Sequence, residues 1–220
     1  MKIGITGSEK AVREWQSRQD APSSFACLQD TKEHRDCHVL IDLDFDQHPE
    51  RLEEYASNPN TLFLLNAVSC TLEQAFASCQ MAYSGQRMIG INAWPICLDR
   101  PELEASNPFS VQVKSEELQA CGFTSVRYCD SRVGLITPRI ISMIINEAYY
   151  TVQEGTAEPD AIDTAMKLGT NYPRGPFEWL SLWGLDRVYK LLNALYEDSR
   201  EERYKVAAKL KQDWLRKQIQ

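Results

Sequence analysis

Basic charge, histidine and long apolar runs are all scarce in this chain. Lys and Arg number 24 against 31 Asp and Glu, a formal net charge of -7. That balance argues against a nucleic-acid partner, because phosphate contacts need a basic face. The one basic stretch, Arg200 to Lys217, holds seven Lys/Arg to three Asp/Glu and reads as a solvated helix face. No apolar run reaches the roughly 20 residues needed to cross a bilayer, and no signal-peptide pattern is present. The expectation is a cytoplasmic protein with no membrane contact. The 7 cysteines are odd in number and include no C-x-x-C pair, which suits reduced thiols. His34 and His38 flank Cys37, but no second ligand pair stands at zinc spacing, so no metal site is expected.

What is present divides into two grammars. Apolar residues make up 43% and charged residues 25% of the 220, ordinary for a globular chain long enough to bury a real core. Up to about residue 130, short apolar runs alternate with helical patterns. The candidate strands are Met1–Ile5, Phe25–Leu28, His38–Leu43, Thr61–Leu65, Met88–Ile91, Phe109–Val113 and Ser125–Cys129. The helical patterns between them are Glu9–Gln19, Pro49–Ser57 and Leu72–Ala82. This alternation predicts a mostly parallel sheet covered by helices. From Ser131 only helices are read: one from Pro138 to Gly155, one from Glu158 ending at Gly169, one or two over Phe177–Tyr196, and a last over Glu201–Lys217. The chain therefore reads as an α/β domain, 1–130, and an all-α domain, 131–220.

The opening "MKIGITGSEK" is a strand running into a turn and a helix, the way a dinucleotide-binding unit begins. Such a unit wants G-x-G-x-x-G, in which the second glycine admits the pyrophosphate and the third lets helix pack on strand. Here Gly7 keeps the first place, while Glu9 and Val12 take the others. A carboxylate is itself favoured at a helix N-terminus, so Glu9 is expected to fill the turn from within. Asp30 stands where a ribose-binding acid would be.

Two longer stretches are more specific. "PDAIDTAMKLGTNYPRGPFEWLSLWGLD" (Pro159 to Asp186) and, upstream, Arg139 with Asn146-Glu147-Ala148 closely resemble the C-terminal domain of the 3-hydroxyacyl-CoA dehydrogenases. "HVLIDLDFD", "LLNAVSCTLEQA" and "RMIGINAWP" resemble that family's N-terminal segments in register, with a deletion that leaves only Thr31 to Cys37 between two strands. The resemblance implies a Rossmann-type domain, here shortened, followed by a helical domain that forms a homodimer. It also implies NAD as cofactor and an acyl-CoA substrate oxidised at its 3-hydroxyl. In the family a histidine oriented by a glutamate acts as base, and a serine and an asparagine position the substrate oxygen. Mapped here, the serine is Ser69 and the base position is Asn92, which cannot take a proton near neutral pH. The second polar position is Pro138. The orienting acid falls at Glu104 counting forward from Asn92, or at Gln112 counting back from Asp130. Two functions stay open: an NAD-dependent dehydrogenase with impaired catalysis, or a non-catalytic acyl-CoA-binding or dimeric scaffold protein.

Overall fold

The structure, a computed structural model, describes residues 1–18, 21, 25–28, 35–100 and 102–219. It forms two compact units, Met1–Ile136 and Thr137–Gln220.

The first unit is built on seven strands: β1 (Ile3–Thr6), β2 (Ala26–Cys27), β3 (Val39–Asp42), β4 (Leu62–Asn66), β5 (Met88–Ile91), β6 (Glu102–Ser106) and β7 (Ser125–Cys129). Their order is β2-β1-β3-β4-β5-β6-β7. Every neighbouring pair is parallel except β5 with β6. Chain direction across the sheet reverses at β1, with β2 on one side and β3 on the other. The crevice beyond the ends of β1 and β3 is thus the switch point where open α/β sheets place their ligands. Burial on both faces explains why β3 to β5 are continuous apolar runs rather than alternating ones. One face gathers Ile5, Trp15, Ile41, Leu64, Ile89 and Phe123, and the other Leu40, Phe45, Tyr55, Phe63, Phe76 and Met88.

The crossovers are short. They carry α1 (Glu9–Gln16), α2 (Leu52–Tyr55), α3 (Leu72–Ser78) and α4 (Ser115–Ala120). Over 49–57 a 3₁₀ turn, Pro49–Arg51, leads into the single α-helical turn of α2. α3 starts with Thr71 and Gln74 capping each other's backbone N–H groups.

One strand differs from expectation. Phe109–Val113 is not extended: Ser110 has a left-handed φ of 53°, and the Asn107 side chain bonds both the carbonyl and the N–H of Val111 at 2.9 and 2.8 Å. With those groups satisfied inside a turn, the segment does not join the sheet. The strand in this region is β6, whose polar-flanked ELEAS lacks the apolar run that reveals its neighbours. Residues just before the second unit hold to the sheet, Gly134 N–H bonding the Val68 carbonyl at 2.7 Å.

The second unit holds α5 (Thr137–Gln153), α6 (Pro159–Thr170), α7 (Pro176–Trp183), α8 (Leu185–Ser199) and α9 (Ala208–Gln218). Gly169 does not end α6, which runs on to Thr170 and stops at a left-handed Asn171. Gly184, with φ +87°, separates α7 from α8. Trp179 and Trp183 are buried within this unit, whereas Leu182 beside them is exposed.

Candidate functional site

Gly7, Ser69 and Asn92 lie at or just beyond the ends of β1, β4 and β5. At the end of β1, Gly7 turns the chain with φ +150°, where a Cβ would meet that of Leu43 at 3.0 Å. Ser8 caps α1, its side chain accepting from Ala11 N–H. The Ser8 N–H, the donor aimed at the switch-point crevice, is spent on a carboxylate oxygen of Asp44. Glu9 does not fill the turn. Its side chain is 81% exposed and pairs with Arg13 one turn along the helix. The anion in the turn comes from β3, 36 residues away in sequence, because β1 and β3 pair in register up to Thr6 and Asp42.

Asp44 is held firmly. Its own N–H donates to Asp42 Oδ1 at 3.1 Å, and the flanking Leu43 and Phe45 are buried. Asp42, fully buried, is gripped by Arg51 Nη1 at 3.0 Å to each oxygen and by the Tyr55 hydroxyl at 2.7 Å. Burial, and then the neighbouring Asp42 charge, push the Tyr55 hydroxyl far above its ordinary range, so it stays a donor. Beside the turn lies a cavity of about 520 Å³, whose wall includes Gly7, Val12, Cys27, Leu28 and Arg51. Val12 packs on the sheet core where a third glycine would stand. The turn is thus a poor fit for a dinucleotide pyrophosphate: the Ser8 N–H is taken by an anion of the chain's own, and Val12 replaces the third glycine. Asp30 lies outside the described residues.

The ends of β4 and β5 carry the other group. Asn66 closes β4, bonding Asp46 through Nδ2 at 3.0 Å and accepting from Ala93 N–H at 3.1 Å. Asp46 also accepts the Ser69 N–H at 3.2 Å, so one carboxylate sets the loop that carries Ser69. Asn92 follows β5 directly and is 1% exposed. Its Oδ1 accepts from Trp94 N–H at 3.2 Å, while its Nδ2 makes no full hydrogen bond. Of the two candidate orienting acids, Glu104 is the one beside Asn92, on the paired strand: Asn92 N–H donates to the Glu104 carbonyl at 2.9 Å. The Glu104 side chain accepts from Ile136 N–H at 2.7 Å. Gln112 is in the loop after β6, its carbonyl taken by Arg87. Pro138 stands in the first turn of α5, in the second unit.

Two thiols border this group. Burial pushes Cys70 up to about 12, with Asp46 adding to it. Burial also takes Cys97 to about 12, although contact with Asn92 opposes the rise. Neither is a thiolate near neutral pH, so neither is an activated nucleophile. Sequence reasoning missed Asp44 and Asp46. Their signal was the D-x-D-x-D alternation directly after an apolar strand.

Comparison with known proteins supports both halves. Residues 134–218 match the family model described as 3-hydroxyacyl-CoA dehydrogenase, C-terminal domain. The 3-hydroxyadipyl-CoA dehydrogenase of Escherichia coli (strain K12) is 41% identical over 109 residues, 49% of this chain and 23% of that protein. The first curated relatives are matched over only 23–34% of their own length. Among solved structures, M. tuberculosis FadB2 superposes with a TM-score of 0.78 at 16% identity, covering 98% of this chain and 94% of that one. The (S)-3-hydroxybutyryl-CoA dehydrogenase of Ralstonia eutropha gives a TM-score of 0.71 at 17% identity, over 96% and 92%. At such identities the likeness is one of fold, and it extends over both units.

Proposed function

We propose, from a chain that belongs to the 3-hydroxyacyl-CoA dehydrogenase family through its helical half, that this protein binds an acyl-CoA without oxidising or reducing it. The observation that carries the reading is Asn92. At the position of the family's base stands a buried amide whose oxygen accepts from Trp94 N–H. An amide does not cycle a proton, and loss of a general base alone costs roughly 10²–10⁴ in rate. Pro138 offers no polar atom where the family has an asparagine, and the Asp44 carboxylate sits where the NAD pyrophosphate would need a donor.

The substrate side is better kept than the redox side. Ser69 retains its place, with its loop set by Asp46 and braced by Asn66 between β4 and β5. That favours retained acyl-CoA binding over a purely structural role. The test is reduction of acetoacetyl-CoA followed by NADH absorbance, on the wild type and on Asn92→His, beside calorimetry with acetoacetyl-CoA alone. The expected result is measurable binding with no turnover in either protein. NADH-dependent turnover by the wild type overturns the reading, and absence of acyl-CoA binding replaces it with the scaffold role.

A further inference from the structure

We propose that Asp44 is a built-in anion that closes the dinucleotide end of the sheet, and that this one carboxylate, rather than loss of the pocket, is what bars a dinucleotide. The inference rests on the reading above in placing the chain among NAD-type folds, and its test reads binding rather than turnover.

Asp44 stands two residues beyond β3 and reaches the helix-start turn after β1, so its carboxylate lies at the switch point itself. A helix N-terminus holds anions because its first N–H groups lack partners and its dipole favours negative charge. A carboxylate satisfies those terms as a phosphate does. Asp44 is 5% exposed and lies in the field of Arg51.

The backbone that carries the carboxylate is fixed. The Asp44 N–H bonds Asp42, a residue locked in turn by Arg51 and Tyr55, and the Leu43 N–H before it bonds the Thr6 carbonyl at 3.0 Å. A pyrophosphate arriving at Ser8 meets a fixed negative charge on the donor it needs, and two anions cannot share it at close range without strong repulsion. Glu9 lines the cavity beside the turn, where its largely exposed carboxylate pairs with Arg13.

Space for a nucleoside remains beside the turn. The cavity of about 520 Å³ borders Gly7, Val12, Leu28 and Arg51. Its volume suits a small ligand. Removing one charge should therefore unmask a site that the fold has kept.

The experiment titrates NADH by its fluorescence into the full chain as wild type, Asp44→Asn and Asp44→Ala, with circular dichroism confirming the fold of each. Asp44→Asn keeps an oxygen for Ser8 N–H and removes only the charge. Asp44→Ala also frees the donor. The expected result is no saturation by the wild type up to millimolar NADH, and at least tenfold tighter binding by both variants, strongest in the alanine protein. Micromolar NADH binding by the wild type overturns the proposal. So does a folded Asp44→Asn that gains nothing, and that variant decides the matter where Asp44→Ala does not fold. Turnover is read separately: a variant that binds NADH and then reduces acetoacetyl-CoA sinks the Asn92 argument while sustaining this one. Variants that bind no NADH sink this one and leave the other standing.

Discussion

Asp163 and Gly175 are packed so closely that a Cβ on Gly175 would fall 2.3 Å from the Asp163 carboxylate. The contact lets Asp163, in α6, cap the next helix. Its two oxygens accept the N–H groups of Phe177 and Glu178 at 2.8 and 3.0 Å. Pro176 brings no N–H, and Glu178 reaches back to Gly175 N–H at 3.0 Å, so the start of α7 is satisfied. The matching residues of I-D-x-A-M and P-x-G-P-F-E thus form a structural joint.

Gly175→Ala is therefore expected to destabilise by about 2 kcal/mol or more, as overpacking against backbone-anchored atoms does. Asp163→Ala should cost about 1–2 kcal/mol by uncapping α7. The two changes share one contact, so the double variant should fall short of their sum. Urea unfolding of the three proteins measures it, and additive losses would contradict the joint.

Asn146 makes a second joint. It donates to the Lys205 carbonyl at 2.8 Å and accepts from Ala207 N–H at 2.9 Å, holding the segment that leads into α9. Asn146→Ala should lower stability by about 1–2 kcal/mol, since the buried Ala207 N–H is stranded while the Lys205 carbonyl keeps the Tyr150 hydroxyl. Hydrogen exchange in residues 205–210 should rise well before that of α5, and uniform exchange would refute the local role.

How far the sequence revealed these features depended on their range. β1 to β5 and β7 showed as apolar runs between turns, and the helical half as regular periodicity, except that the last helix begins at Ala208, after a 3₁₀ turn at Glu202–Tyr204, and not at Glu201. β6 did not show, since its alternating ELEAS carries little apolar weight. Phe109–Val113 showed falsely, because its apolar residues pack on the core from a turn. Near the site, the place of Asn92 directly after β5 was legible from register alone. The occupant of the phosphate turn was not: Glu9 is adjacent in sequence, whereas Asp44 arrives only once β1 and β3 pair.

The family resemblance implies a homodimer, and Leu168 is a natural probe of it. This residue of the I-D-x-A-M-x-L-G motif stands 83% exposed in its unit. Sedimentation of the wild type at micromolar concentration should give a dimer, and Leu168→Glu should shift it toward monomer without changing the circular dichroism. A monomeric wild type removes the dimer from the account.

Glu117 supplies a test of acid stability. Arg87 grips it through two nitrogens at 2.9 and 2.8 Å, and Lys114 N–H adds a third bond at 2.9 Å. Burial alone would raise its pKa, but the Arg87 and Lys114 bonds outweigh burial and hold it below the ordinary 4.5. A carboxyl depressed on folding stabilises fully above its unfolded value, and the stabilisation is lost as pH falls through the folded value. Glu117→Gln should thus cost about 2 kcal/mol at pH 7, since the grip is charge-assisted and largely buried. The gap between the proteins should stay constant down to about pH 5 and close below 4.5 as the wild type takes up its proton. Urea midpoints from pH 7 to pH 3 follow it directly. A gap that persists unchanged at pH 3 would mean that shape, and not charge, holds Arg87 against the start of α4.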